Sequence, residues 1–503
     1  MRVIFCAAFA VSAAASSSAA AAPWKPCSPS TPGECEGITL WMIPGPNPLV
    51  VPGDESPKSP DAGAAASLAA SLRSGKGIWD DGEIENAGGV YVGDGTIGEV
   101  GTLYWLYHGL PASDGQTYQV GLLTAKAGNY LGPWTKFEGN PILPVSTSKS
   151  DWDSSFTASG TLVHDGKTLM MFYEGASAGS SVCGENDPKG EVHDNDMCVG
   201  IATSASGKVE GPWTKVQGPW AKVDPKGGVG MVLNSNNSFD PTLPTKQFAT
   251  GGGFYVANVI YDDARSTFRM YVEAPIGTKD QGPMALWEAQ DPVNGPWKKV
   301  AYTIMPEHLG TSGWDQGAYS ESSVVQVDAT SYFSFYSGCV NGEMEGTRAA
   351  AQRRKLHQSS KQHRRELLTH FEEGREQGIG RPLSEGGEQL GFAWSADGVN
   401  FTTHSKNPIA ATDDMRPPII AAAEGHALFD GANELIYVFH TVRYGNGQAD
   451  YSAEDLGVTI FSKRWNFTVL HVRFTLPYAP AGGQRLTPSP FCIIIISLSL
   501  SLS

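Results

Sequence analysis

Gly132-Pro133-Trp134, Gly211-Pro212-Trp213 and Gly295-Pro296-Trp297 recur about eighty residues apart, each just after a stretch that reads as a strand. A second marker, Trp-Asp, stands at Trp79-Asp80, Trp152-Asp153 and Trp314-Asp315. Its last gap is about twice its first, and the missing member falls near Phe239-Asp240-Pro241. Between the markers each unit repeats one order of events. An apolar strand such as Gly160 to His164 or Ser323 to Val327 comes first, followed by a tight turn such as His164-Asp165-Gly166. A second strand rich in aromatics follows: Leu103 to His108, Leu169 to Tyr173, Phe268 to Val272, Tyr332 to Tyr336 and Leu435 to His440. The third is Val120 to Ala125, Val199 to Ser204, Met284 to Ala289, Leu390 to Ser395 and Leu456 to Phe461. A turn and a short strand carrying Trp or Phe close the unit, as in Gly132 to Phe137 and Asp397 to Thr402. Four short strands bounded by Gly, Pro and Asp make one propeller blade, so the expected fold is all-β, a five-bladed β-propeller over residues 78–475. A β-sandwich is the alternative, but its strands do not recur as fourfold units with the same turn residues in the same slots.

Composition agrees with short strands and tight turns. Gly, Pro and Trp are plentiful and charged residues few, at 17%. A net charge of −16 repels phosphate and argues against a general nucleic-acid binder, while leaving a neutral sugar open as a partner. Residues 1–22 read as a secretory signal: Arg2, an apolar run from Val3 to Val11, then small residues to Ala22. Asn236, Asn400 and Asn466 open N-x-Ser/Thr triplets, which fits a secreted, extracellular protein. Of the seven cysteines, Cys27 with Cys35 and Cys183 with Cys198 are near enough to close small loops in an oxidising compartment. Residues 23–77 read as a linker or an N-terminal wrap. Residues 341–388 interrupt blade four as a charged helix or a loop. Residues 476–503 read as a disordered tail or a lipid-anchor signal, too short and polar to span a bilayer.

The innermost strand of every blade borders a central channel, so one residue per blade can converge there from distant positions. Hydrolysis of a glycosidic bond needs a protonated carboxyl for the leaving oxygen and an ionised carboxylate for water, and a third carboxylate can hold the acid's pKa up. Acids at the openings of the units are therefore the candidates: Asp80 and Asp81 in the first, Asp153 in the second, Asp240 in the third and Glu321 in the fourth. Each also has a structural reading, because Asp is common in turns. Trp79, Trp152 and Trp314 are either core residues of the repeat or rim aromatics that stack on sugar rings, with Asp153 beside them.

Cys198-Val199-Gly200-Ile201-Ala202-Thr203-Ser204 leading to Gly211-Pro212-Trp213, the parallel run from Gly121 to Trp134, and Gly425-His426 together resemble glycoside hydrolase family 43, within the arabinanase, levansucrase and invertase superfamily. The resemblance spans about residues 78–465. It implies a first-blade aspartate base (Asp80 or Asp81), a pKa-modulating aspartate (Asp240) and a glutamate acid (Glu321), acting on arabinofuranosyl or xylosyl linkages of polysaccharides with inversion. It also implies that His426 lines the hub and helps hold a calcium or other ion, although the hydrolysis itself requires no cofactor. The sequence departs from the family pattern in the first blade, where Asp81 is followed by Gly82 instead of Pro. The Arg-Asp-Pro triplet of the invertase branch is absent, and about forty residues beyond blade five are too few for that branch's extra sandwich. A β-fructosidase or phosphorylase of the same fold, and a carbohydrate-binding propeller without catalysis, stand as the other readings. An oligo- or polysaccharide partner, no membrane span and a monomer are expected.

Overall fold

Five antiparallel sheets follow one another along the chain, and the first strand of each touches the first strands of its two neighbours, so that the ring closes. The computed structural model describes residues 24–43, 79–81, 83–111, 117–149, 151–176, 198–216, 231–233, 255–273, 284–294, 297–301, 304–305, 315, 318–339, 389–410, 419–444 and 454–463. All of them fall within residues 1–465, which cluster apart from 466–503. Among the described residues no helix is long and apolar enough to cross a membrane.

A short helix, α1 (Glu34–Gly37), and a strand, β1 (Trp41–Ile43), come first. Blade one is β2 (Glu83–Val92), β3 (Thr102–Leu110), β4 (Gln119–Lys126) and β5 (Thr135–Lys136). Blade two is β6 (Phe156–His164), β7 (Leu169–Ala176), β8 (Cys198–Ser204) and β9 (Trp213–Lys215), with β10 (Met231–Leu233) extending the outer edge along β8. Blade three is β11 (Tyr255–Asp262), β12 (Thr267–Glu273), β13 (Met284–Ala289) and β14 (Lys298–Ala301). Blade four is β15 (Ala318–Asp328), β16 (Ser331–Cys339), β17 (Gln389–Ser395) and β18 (Thr402–Thr403). Blade five is β19 (Ile419–Asp430), β20 (Leu435–Tyr444) and β21 (Glu454–Ser462), and its fourth strand is β1, paired antiparallel with β21. The five-bladed reading of the sequence is thus the observed fold. The strand that completes blade five comes instead from the stretch read as a linker or wrap.

The blades hold together by packing face on face. Five apolar cores lie between successive blades. Leu106 and Leu122 meet Leu162 and Met171; Phe172 and Ile201 meet Val259 and Met270; Leu286 meets Val324 and Phe401. Phe335 and Phe392 meet Val438 and Phe461, and Trp105 and Leu123 meet Phe439 and Leu456. Strands buried on both faces explain why the sequence shows apolar runs and little alternation. The Gly-Pro-Trp marker has a backbone cause, since Gly132 and Gly211 both sit at φ 87°, a left-handed conformation costly to any residue with a Cβ. Trp134 then lies edge-on to Trp105 and Phe439, joining blade one to blade five.

The N-terminal segment clasps the last blades. Cys27 and Cys35 form a disulfide, Trp24 packs on Phe429, Lys25 pairs with Asp328 at 2.7 Å, and His404 Nε2 lies 2.9 Å from the carbonyl of Ile38. Cys198 is also disulfide-bonded, whereas Cys183 lies outside the described residues.

Two further regularities position the site. At the far end of the ring, where inner strands finish, connections are tight turns such as 165–168, 263–266, 329–330 and 431–434. At the end where inner strands start, the connections are long, including 177–197, 234–254 and 340–388. Every inner strand also bulges at one level. Residues 86–88, 159–160, 256–257, 321–322 and 424–425 are extra residues facing Tyr107, Tyr173, Val272, Tyr336 and His440 of the second strands. Bulges re-aim side chains, and long loops carry function, so both features point to the strand-start end of the hub.

Candidate functional site

The Trp-Asp pairs turn out to be latches of the blades. Asp80 Oδ2 accepts from the Tyr107 hydroxyl at 2.7 Å and from Lys136 Nζ at 2.6 Å. In blade two Asp153 Oδ2 accepts from Tyr173 at 3.1 Å and pairs with Lys215 at 2.5 Å, and in blade four Asp315 Oδ2 accepts from Tyr336 at 3.0 Å. Trp79 stacks on Tyr107 and Trp152 on Tyr173, with ring centroids 5.7 and 5.6 Å apart. The tyrosines facing the bulges are thereby pinned from the start of each inner strand. Burial beside a carboxylate drives the Tyr107 and Tyr173 hydroxyls well above their usual range, so they stay protonated donors.

These contacts correct several expectations. Asp80 is 1% exposed and its Oδ2 is engaged by a lysine and a tyrosine of its own blade, which gives it a structural role beside the base that the resemblance implies. Asp153 serves the same latch in blade two. Trp152 is fully buried and belongs to the blade core, not to a rim, whereas Trp79 is partly buried against Tyr107. Asp81 is buried in the turn before β2. Asp240 and Trp314 lie outside the described residues. Blade three carries Val272 where the latched blades carry tyrosine, and there Lys299 lies over the Trp287 ring, 5.5 Å from its centroid.

Glu321 sits on the β15 bulge, at the position that Asn86, Ser159 and Glu424 hold in β2, β6 and β19. In blades one and five this level gathers carboxylates. Glu85 is the register partner of His108, with Oε2 and Nε2 2.5 Å apart, and Glu424 from β19 joins them. The ligand-type atoms of Glu85, His108 and Glu424 all lie within 4.8 Å of one another. His108 and Glu424 are buried, and Glu85 partly so.

The surroundings fix this cluster closely. The Thr441 hydroxyl donates to Glu424 Oε2 at 2.6 Å and accepts the Asn86 backbone N–H at 2.7 Å. Asn86 Nδ2 donates to the carbonyls of Glu424 and Phe439, and its Oδ1 accepts from Trp105 Nε1. The Glu424 N–H reaches Ser337 Oγ at 3.0 Å, tying blade five to blade four. Glu424 holds φ 58°, an uncommon conformation for a glutamate, at the point where the chain turns it toward blade one. His108 is set edge-on against Tyr118, with Phe156 beyond it. Glu174, also buried, takes the place of His108 in blade two.

His426 stands one residue past the β19 bulge, on the far side of that level. There the hub widens into a cavity of about 600 Å³ lined mainly by apolar residues such as Val90, Leu162, Val259, Val325 and Leu428, with none of the clustered carboxylates. Its ring packs against Tyr91 and over Gly89, where a Cβ would come within 2.4 Å of Nδ1. Burial lowers its pKa to about 4, against a hydrogen bond with the Val90 backbone. Among the described residues no group of three candidate protein ligands includes it.

Sequence reading placed the first-blade base at Asp80 or Asp81 within the acidic opening from Trp79 to Glu85, and it passed over His108 and Glu424 as site residues. The signal for Glu424 was present, because an acid directly after the apolar run from Ile419 to Ala423 needs a reason, as Glu321 does.

No protein-family model and no curated protein matches this sequence. Among solved structures the chain is similar to a thermostable family-43 glycoside hydrolase at 11% identity, covering 75% of this chain and 88% of that one, with a TM-score of 0.41. It is also similar to an α-L-arabinofuranosidase from Lactobacillus brevis, at 11% identity, 82% and 92% coverage and TM-score 0.41. An endo-1,4-β-xylanase from Bacteroides thetaiotaomicron gives 11%, 74% and 89%, and 0.39. At such identities the chemistry has to be read from this chain's own residues.

Proposed function

We propose that the chain is a secreted glycoside hydrolase cleaving arabinofuranosyl or xylosyl linkages of polysaccharides with inversion. The observation that carries the reading is the meeting of Glu85 and Glu424, from the first and last blades, at the hub end where the long connections lie, with Glu321 on the same bulge level. The sugar class follows from the resemblance of the sequence motifs. A disulfide at Cys27–Cys35 suits an oxidising compartment and supports the exported route.

The roles follow from spacing. An inverting pair flanks a water and needs roughly 6.5–9.5 Å between carboxyls. Glu85 and Glu424, within 4.8 Å, are too close to flank one. The resemblance implies Glu321 as the acid; we assign Glu85 in place of Asp80 and Asp81 as the first-blade base, with Glu424 as the third carboxylate that biases the pair's protonation. A panel of aryl arabinofuranosides, xylosides and fructosides, read by proton NMR for the anomer first released, tests the proposal. Glu321→Gln and Glu85→Gln each lower kcat of the folded protein by roughly 10²–10⁴-fold. Sugar binding without turnover on any substrate points to the carbohydrate-binding propeller instead, and a retained anomer refutes inversion.

A further inference from the structure

We infer that Glu85, His108 and Glu424 form a binding site for one divalent cation of the zinc or manganese class. The inference shares Glu85 and Glu424 with the hydrolase reading, and a bound ion would compete with Glu85 as base; it is tested apart from that reading, because binding is measured with no sugar present. Three observations carry it. The first is convergence: one imidazole nitrogen and two carboxylates, from two strands of blade one and one of blade five, lie within 4.8 Å of one another. Two of the three are buried, which separates the group from acid clusters on a solvated surface.

The second observation is the support behind each ligand. Metal-ligating groups are usually held by a second ring of contacts that fixes their direction. Glu424 has the Thr441 hydroxyl on Oε2, itself anchored by the Asn86 N–H. The His108 ring is set by Tyr118 and Phe156, which aim Nε2 at Glu85. The third is chemical type. A nitrogen with two carboxylates suits zinc or manganese better than calcium or magnesium, which favour oxygen alone. Bonds of about 2.0–2.2 Å require ligand atoms about 3–3.5 Å apart, so an entering ion opens the 2.5 Å contact of Glu85 with His108 by less than about 1 Å.

The test uses the full-length protein, stripped with a chelator and dialysed. Zinc, manganese, calcium and magnesium chlorides are then titrated by calorimetry, with the melting temperature followed in parallel. The expected result is one zinc or manganese ion per chain, bound at least tenfold more tightly than calcium, with a raised Tm. Glu424→Gln and His108→Gln each weaken binding at least tenfold, Thr441→Val weakens it about tenfold, and His426→Asn leaves it unchanged. Glu85→Gln serves if either ligand variant melts in the metal-free state. Saturable binding of none of the four ions overturns the proposal, as does binding that survives in both ligand variants. So does a calcium preference that is lost in His426→Asn. Activity on sugars does not enter these readouts, so failure of the hydrolase assignment and failure of the cation site are separately visible.

Discussion

Replacing Asp80 by Asn separates the latch from a catalytic role, because the two make opposite demands on stability and rate. In the folded protein Asp80 is 1% exposed and its Oδ2 holds both Lys136 and Tyr107. Removing one partner of a buried ion pair costs about 3–5 kcal/mol, mostly from the charge left behind. The Lys136 side chain is 13% exposed and its stem can carry the ammonium toward water, while Asn can still accept from Tyr107; the expectation is therefore the lower limit, about 3 kcal/mol. An unfolding entropy of about 2.1 cal/mol/K per residue, over the roughly 250 described residues, gives about 0.5 kcal/mol/K, so Tm falls by about 6 °C. Calorimetry and urea unfolding measure the loss, and kcat of the folded fraction is measured on the best aryl glycoside. Asp80→Asn is expected to melt early and to keep kcat within a few-fold of wild type. Should it melt within a degree of wild type while kcat drops by roughly 10²–10⁴-fold, the latch reasoning is wrong and Asp80 is the base.

Three other expectations follow from packing and charge. His440 is fully buried, lies with Nδ1 3.1 Å from the Thr441 carbonyl and Nε2 2.8 Å from the Thr459 hydroxyl, and has its pKa lowered from 6.5 to about 4. The unfolded chain therefore takes up a proton that the folded one refuses. This group's contribution is complete above about pH 6.5 and is lost toward pH 4, on the order of 3 kcal/mol, and urea unfolding of His440→Gln should show a shallower acid limb over that range. Reducing Cys27–Cys35 frees a loop of sequence separation 8, worth about 2.5 kcal/mol in chain entropy, and slackens the segment that feeds β1; an unchanged Tm in reductant contradicts this. At Gly121 a Cβ would lie 2.5 Å from Tyr107 and 2.8 Å from Trp79, so Gly121→Ala should cost about 1–3 kcal/mol by overpacking, while Gly37→Ala, with nothing within 4 Å, serves as the unaffected control in the same melt.

The architecture was legible because a propeller writes itself several times. Gly-Pro-Trp and the aromatic second strands are short-range patterns with backbone and packing causes repeated blade by blade. The ring's closure was not legible, because Trp41–Ile43 is a three-residue strand whose pairing with Ile460, Phe461 and Ser462 leaves no local trace. The insertion read at 341–388 falls between β16 and β17, outside the described residues, so the strands give only its place in the chain.

Repetition had the opposite value for the site. Asp80 and Asp153 drew notice because they recur, yet a residue that recurs blade after blade answers a need that every blade shares. Its partners recur with it: Tyr107 and Lys136 around Asp80, Tyr173 and Lys215 around Asp153. Where the second-strand tyrosine is replaced by Val272, the blade's lysine turns to Trp287 instead. Catalysis and ion binding need the reverse, a different group from each blade at one level of the hub. The bulge level supplies that variety, with Asn86, Ser159, Glu321 and Glu424 in equivalent places and Glu85 or His108 beside them. An acid in a propeller sequence is thus better judged by whether its tyrosine and lysine travel with it than by how often it appears. By that criterion Glu85, Glu321 and Glu424, which break the repeat, are the residues whose presence blade stability does not explain.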